Sequence, residues 1–306
     1  MENKMDYTGE EMMANITETE LEPWMQLTAE GWDVPVGEIQ EKAVVIRGLD
    51  TDFRVFIPDN AADKMPLLFY IHGGAYVGGF NVMDEPVCRK VCNEVGCVVV
   101  SPNYGLAPQY QYPSQIEQLY GLFKYIVANA EEFHIDTDRI AIGGSSAGGN
   151  FAAALCQMAH ERKDFEIKYQ VLVYPNVDMS DDLAKYQAAA EVGAENSFGE
   201  VDMEHPDAYQ KMFLQYAPEG TDIKDPYISP LYADPKCFPK TSIFSGRLDL
   251  LWYEANEFAR KLQRAGVEIL YKSYANVGHG FMELKGAEDV SRDVKNIICA
   301  ELKRNL

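Results

Sequence analysis

The sequence predicts an α/β fold with a mainly parallel central sheet and helices on both faces, and two observations carry that expectation. Seven short apolar runs alternate with amphipathic stretches along the 306 residues. Such alternation joins parallel strands through helical crossovers. A run of small residues, Gly143 to Gly149 (GGSSAGG), separates one apolar run from an alanine-rich helix, where a sharp turn would exclude larger side chains.

In chain order the predicted strands are FRVFIP, PLLFYIH, GCVVVSPNY, DRIAIGG, YQVLVYPN, KTSIFSG and VEILYKSYA. The helices between them show their buried faces in the spacing. In PVCRKVCNEVG, residues Val87, Cys88, Val91, Cys92 and Val95 fall on one side, so these thiols read as small buried hydrophobes. In QIEQLYGLFKYIVANA the stripe is Ile116, Leu119, Leu122, Phe123 and Ile126. WYEANEFARKLQRAG stops at a helix-ending glycine. Two segments break the alternation, giving a core of residues 41–177 and 228–306 and a helical cap made from residues 1–40 and 178–227. In the second cap segment, Tyr209, Met212, Phe213 and Tyr216 share a helical face. That stripe either docks on the core or covers a binding cleft.

A net charge of −21 repels phosphate backbones and anionic lipid, so nucleic acid is excluded as a partner. The N-terminal stretch lacks a basic and apolar leader, and no run reaches the roughly 20 apolar residues of a membrane span. Six dispersed cysteines point to reduced thiols, and the expected location is the cytoplasm.

Within the small-residue run, Gly144, Ser146 and Gly148 form G-x-S-x-G between a strand and a helix. There the serine sits on a strained turn with its hydroxyl exposed above a helix N-terminus. His72, Gly73, Gly74 and Ala75 follow another strand and fit an oxyanion loop. An acyl transfer needs two or three fixed donors for its oxyanion, and the amides of Gly73, Gly74 and Ala147 are the candidates. Ser145 reads as a turn residue. Of the five histidines, His279 alone lies between glycines just past a strand and suits a general base. His134, His160 and His205 sit among charged residues and read as surface positions, while His72 is expected to hold the oxyanion loop in shape. The base needs a carboxylate: Asp249 in GRLDLL is the first candidate, and Asp178 after YQVLVYPN is its rival.

The order Ser146, Asp249, His279 fits an α/β-hydrolase. With these residues in hand, the chain resembles the hormone-sensitive-lipase-like esterases of the α/β-hydrolase fold, a group containing bacterial acetyl esterases and carboxylesterases. The resemblance spans residues 50–300 and rests on HGGAY, YGLAP, GSSAGGN and GHGF. It implies Ser146 as nucleophile, His279 as base, Asp249 as acid, Gly73, Gly74 and Ala147 as oxyanion donors, and a cap over the site. Three departures stand out. Ser145 replaces the family's aspartate, Gly105 its arginine and Leu250 its proline.

The expected function is that of a serine carboxylesterase that hydrolyses small, short-acyl esters through an acyl-enzyme and needs no cofactor or metal. No phosphate-binding loop is present, since both glycine-rich turns lack its lysine. The acidic balance favours neutral or cationic esters. An amidase, formamidase or peptidase could use the same triad, and a non-catalytic ligand-binding protein is the contrasting class. A small-molecule ester is the expected partner, and a homo-oligomer is compatible with the sequence.

Overall fold

The computed structural model describes residues 31–79, 81–180, 187, 191, 195–196, 199–200, 215–283 and 285–306. Its strands, in chain order, are β1 (Glu38–Ile46), β2 (Leu49–Ile57), β3 (Met65–Ile71), β4 (Val98–Asn103), β5 (Ile135–Ser145), β6 (Tyr169–Val173), β7 (Glu195–Asn196), β8 (Gly199–Glu200), β9 (Lys240–Gly246) and β10 (Ile269–Tyr274). Eight of them form the central sheet, in the order β1-β2-β4-β3-β5-β6-β9-β10. The remaining two, β7 and β8, pair only with each other. From β4 through β10 the main sheet is parallel, and β1 and β2 are the antiparallel exceptions.

Among the described residues, five α-helices cover it: α1 (Glu85–Val95), α2 (Ser114–Ala128), α3 (Ala147–Arg162), α4 (Trp252–Arg264) and α5 (Glu288–Asn305). Alternate strand residues point to opposite faces, and two apolar clusters follow from that period. Leu67, Phe69 and Ile71 of β3 pack with α2, α3 and α4, whereas Leu68 and Tyr70 pack with α1 and α5. β3 is buried along its whole length. That explains why its sequence is a continuous apolar run rather than an alternating one.

All seven expected strands form. The eighth, β1, begins inside residues 1–40, so residues 38–40 belong to the sheet and not to a helical addition. Its glutamates and lysine suit an exposed edge strand and hide the apolar signal, and Val45 there is 64% exposed. Arg47 and Gly48, both at positive φ, supply the two-residue turn into β2. Residues 1–30 lie outside the described residues, as do Tyr209, Met212 and Phe213 of the expected cap stripe. Tyr216, its last member, is buried in the core and stacks on Tyr76 with centroids 4.6 Å apart. Among the described residues no helix is long and apolar enough to cross a membrane.

Phe69 and Phe123 stack at 4.4 Å between β3 and α2, both fully buried. Phe123→Ala should cost about 3–5 kcal/mol of stability, measured by urea unfolding. A loss below about 1 kcal/mol would show that this contact does not hold α2 to the sheet.

Candidate active site

The loops that follow β3, β5, β6, β9 and β10 all leave the same edge of the sheet, the carboxyl edge where open α/β sheets place their sites. At its centre Ser146 takes φ 53° and ψ −118°, a conformation side chains disfavour, between the end of β5 and the start of α3. Close backbone approach demands the flanking glycines. A Cβ on Gly148 would lie 2.0 Å from the Ile71 carbonyl oxygen, and one on Gly144 would lie 2.4 Å from Gly148. The Ser146 amide donates to the Val173 carbonyl at 2.9 Å, and the Asn176 amide donates to the Ser146 carbonyl at 3.2 Å. These bonds tie the turn to β6.

His279 meets this serine from 133 residues away. Its Nε2 lies 2.9 Å from Ser146 Oγ and its Nδ1 lies 2.8 Å from Asp249 Oδ2. The other carboxylate oxygen of Asp249 accepts the Leu251 amide at 2.9 Å, which fixes the carboxylate plane. Asp249 is 2% exposed and Ser146 is 8% exposed, so solvent does little to loosen the chain. The Tyr174 ring and the imidazole pack edge to face, with centroids 4.8 Å apart. Gly246 leaves room for the histidine loop, because a Cβ there would sit 2.4 Å from the Val277 oxygen. Asp178, the rival carboxylate, is turned to local work: its Oδ1 accepts the Ser180 amide at 2.9 Å.

The loop after β3 is folded back on itself, with the Val77 and Gly78 amides donating to the Gly74 carbonyl at 3.2 and 2.9 Å. Gly74 has φ 126°, and a Cβ there would strike the Gly78 oxygen at 1.9 Å. Gly73 lies against the serine turn, where its Cβ would be 3.3 Å from Ser146 Cβ. Ala147 opens α3, so its amide has no intrahelical acceptor. His72 shapes the loop as expected. Its Nδ1 bonds the Gly73 carbonyl at 2.7 Å and its ring stacks on Tyr104 at 4.2 Å. Burial lowers the His72 pKa to about 4, so the ring is neutral at pH 7 and Nδ1–H donates. His134 and His160 are exposed, and His205 lies outside the described residues.

A second ring of polar residues carries no sequence motif. Tyr76 donates to Asn176 Oδ1 at 2.7 Å, and Asn176 Nδ2 donates to Glu254 Oε1 at 2.8 Å. The same glutamate oxygen accepts the Val177 amide at 2.7 Å. Glu254 therefore joins α4 to the loop after β6. Its signal in the sequence was its position, one helical turn before Phe258 and two before Leu262 on the buried face of α4. The three departures also acquire places. Ser145 donates to Asp84 at 3.2 Å. Gly105 makes room for the Tyr110 ring, which would lie 2.6 Å from a Cβ at that position. Leu250 is buried.

A serine on such a turn, an imidazole bridging it to a carboxylate, and glycine amides close by define the site of an α/β-hydrolase. The chain belongs to that fold family, whose model matches residues 68–283. An arylesterase of Saccharolobus solfataricus is 30% identical over 275 residues, covering 88% of this chain and 84% of the relative. Carboxylesterase NlhH of Mycobacterium tuberculosis is 29% identical, covering 89% and 84%. Among solved structures, the thermostable carboxylesterase EstE1, cloned from a metagenomic library, superposes with a TM-score of 0.86 at 26% identity and covers 99% of both chains.

Gly148→Ala should destabilise the fold by about 3 kcal/mol, since the new methyl meets fixed backbone rather than a movable side chain. Urea unfolding measures this. An unchanged midpoint would mean that the turn is looser than its contacts indicate.

Proposed function

We propose that this enzyme is a serine carboxylesterase acting on small, short-acyl esters through an acyl-enzyme. The observation that carries the proposal is the continuous hydrogen-bonded chain from Asp249 through His279 to Ser146. A serine hydroxyl is a weak nucleophile at neutral pH, and an imidazole in contact with it can take its proton as the oxygen attacks.

In the proposed reaction Ser146 Oγ bonds the ester carbonyl carbon while its proton passes to His279 Nε2. Asp249 holds the Nδ1–H tautomer and stabilises the imidazolium. The amides of Gly74 and Ala147 donate to the oxyanion, and the N-terminal end of α3 adds its dipole, while the Gly73 amide, expected from the sequence as a further donor, faces the Asp84 carboxyl instead. As the tetrahedral species collapses, the imidazolium returns the proton to the departing alkoxide, which leaves as an alcohol. Water then attacks the acyl-serine with His279 again as base, and the acid is released with Ser146–OH restored. The names of the relatives support ester hydrolysis, and the family resemblance supports short acyl groups. In the same reading the residues before β1 and residues 178–227 contribute a cap over the site, and the free cysteines fit a cytoplasmic enzyme.

Ser146→Ala should lower kcat on an aryl acetate by at least about 10⁴-fold, with an unchanged unfolding midpoint. Wild-type turnover in that variant would refute the nucleophile assignment. Across an acyl series, each methylene buried in a pocket is worth about 0.8 kcal/mol, roughly fourfold. The expected optimum lies at acetyl to butyryl esters, and a maximum at octanoyl or longer would contradict the short-acyl reading. Matched ester and amide substrates measured side by side test the choice of bond.

A further inference from the structure

Beside the serine turn, two carboxyl groups lie close together. Asp84 ends the loop that follows the glycines of the β3 turn, and it is 1% exposed. Glu283 lies four residues past His279, with its Oε1 closed off from solvent. The two carboxyls face each other and line a cavity of about 10 Å³ with Lys295 of α5. Asp84 Oδ1 also accepts the hydroxyl of Ser145, the residue before the nucleophile, at 3.2 Å. The Gly73 amide faces the same carboxyl.

One carboxylate thus lies among three loops at once: it bonds the serine turn through Ser145 and faces the glycine loop at Gly73 and the histidine loop at Glu283. The aspartate that the family carries beside the nucleophile is here a serine, and the carboxylate arrives instead from the start of α1. Such a group touches no substrate. It can act only by fixing the peptide planes that do.

We propose that Asp84 is a positioning residue for the hydrolysis, with Glu283 as its partner: ionised Asp84 holds the Gly73 peptide and the serine turn in register, and the protonated pair holds them less firmly. This rests on the serine-hydrolase reading above.

Charged and titratable groups face the pair from every side. Tyr70 reaches it from β3, Tyr104 from the loop after β4, Cys88 from α1 and Lys295 from α5, while Glu85 with its Arg54 partner faces Cys88. Burial raises the Asp84 carboxyl to about 7, although Glu283, the Ser145 hydroxyl, the Lys295 charge and the Gly73 amide all favour its anion. Glu283 is pushed well above the ordinary carboxylate range, first by burial and then by the Asp84 charge. The pair therefore holds a proton above the ordinary carboxylate range. Between the usual aspartate pKa and about 7, the folded chain keeps a proton that the unfolded chain has lost. Stability consequently falls as pH rises through that window, while the charge-assisted bond from Ser145 and the attraction to the Gly73 amide strengthen.

The experiment measures kcat, KM and unfolding midpoint on an aryl acetate from pH 5 to 9 for wild type, Asp84→Asn, Glu283→Gln and Glu283→Ala. Loss of the charged acceptor in Asp84→Asn should lower kcat about tenfold at pH 8 with KM within about twofold. An ionisation near pH 7 in the wild-type kcat and midpoint profiles should vanish from that variant. Glu283→Gln, which keeps a donor, should leave this ionisation in place, and Glu283→Ala should move it to higher pH. Wild-type kcat and pH profiles in Asp84→Asn would overturn the proposal. If Asp84→Asn does not fold, the two Glu283 variants decide, and an ionisation unmoved by Glu283→Ala overturns it. A fluorophosphonate probe added to each protein separates the two levels: failure to label wild type strikes the serine-hydrolase reading, whereas labelling of every variant with unaltered profiles strikes only the role of Asp84.

Discussion

The structure depends on one local constraint, the tight passage of the chain from β5 through Ser146 into α3. A serine at φ 53° is unfavourable by itself. It is held there because Gly144 and Gly148 let the turn press against the backbone of β3, within distances that any side chain would block. The hydroxyl then has one outlet, above the sheet edge. A looser turn would let the serine relax into an ordinary conformation and would separate it from the imidazole.

Everything that meets the serine arrives on a loop from the same edge, and each loop is secured twice. His279 is fixed by Asp249 and by the Tyr174 ring, and Asp249 by the Leu251 amide. The loop after β6 is held by Glu254 and Asn176, and Asn176 is bonded in turn by Tyr76 of the glycine loop. These buried polar groups are costly unless partnered. Their use here exchanges some stability for fixed geometry, which catalysis by preorganised dipoles requires. The Asp84 pair extends that pattern to Ser145, the neighbour of Ser146 in the turn.

Much of this was legible in the sequence, because the relevant signals are local. Parallel strands buried on both faces read as apolar runs, and the G-x-S-x-G turn, the HGGA loop and the glycine-flanked His279 each announce themselves within a few residues. Asp249 is preferred to Asp178 because its loop runs from a strand into a helix at the edge shared by the serine and histidine loops, and Asp249 Oδ2 lies 2.8 Å from His279 Nδ1. What escaped was non-local or disguised. The edge strand β1 carries glutamates and a lysine where apolar residues would have marked it. Asp84, Asn176 and Glu254 become functional neighbours only when loops distant in sequence fold onto one another, and no spacing rule encodes that meeting.

The central claim is that the hydroxyl of Ser146, and no other, is made nucleophilic by this chain of contacts. Treating the native protein with a fluorophosphonate and mapping the adduct by peptide mass spectrometry tests it most directly. The account predicts a single phosphonyl group per chain, on Ser146, with reaction slowed sharply by His279→Ala. An adduct on another residue, or labelling at the wild-type rate without the imidazole, would contradict it.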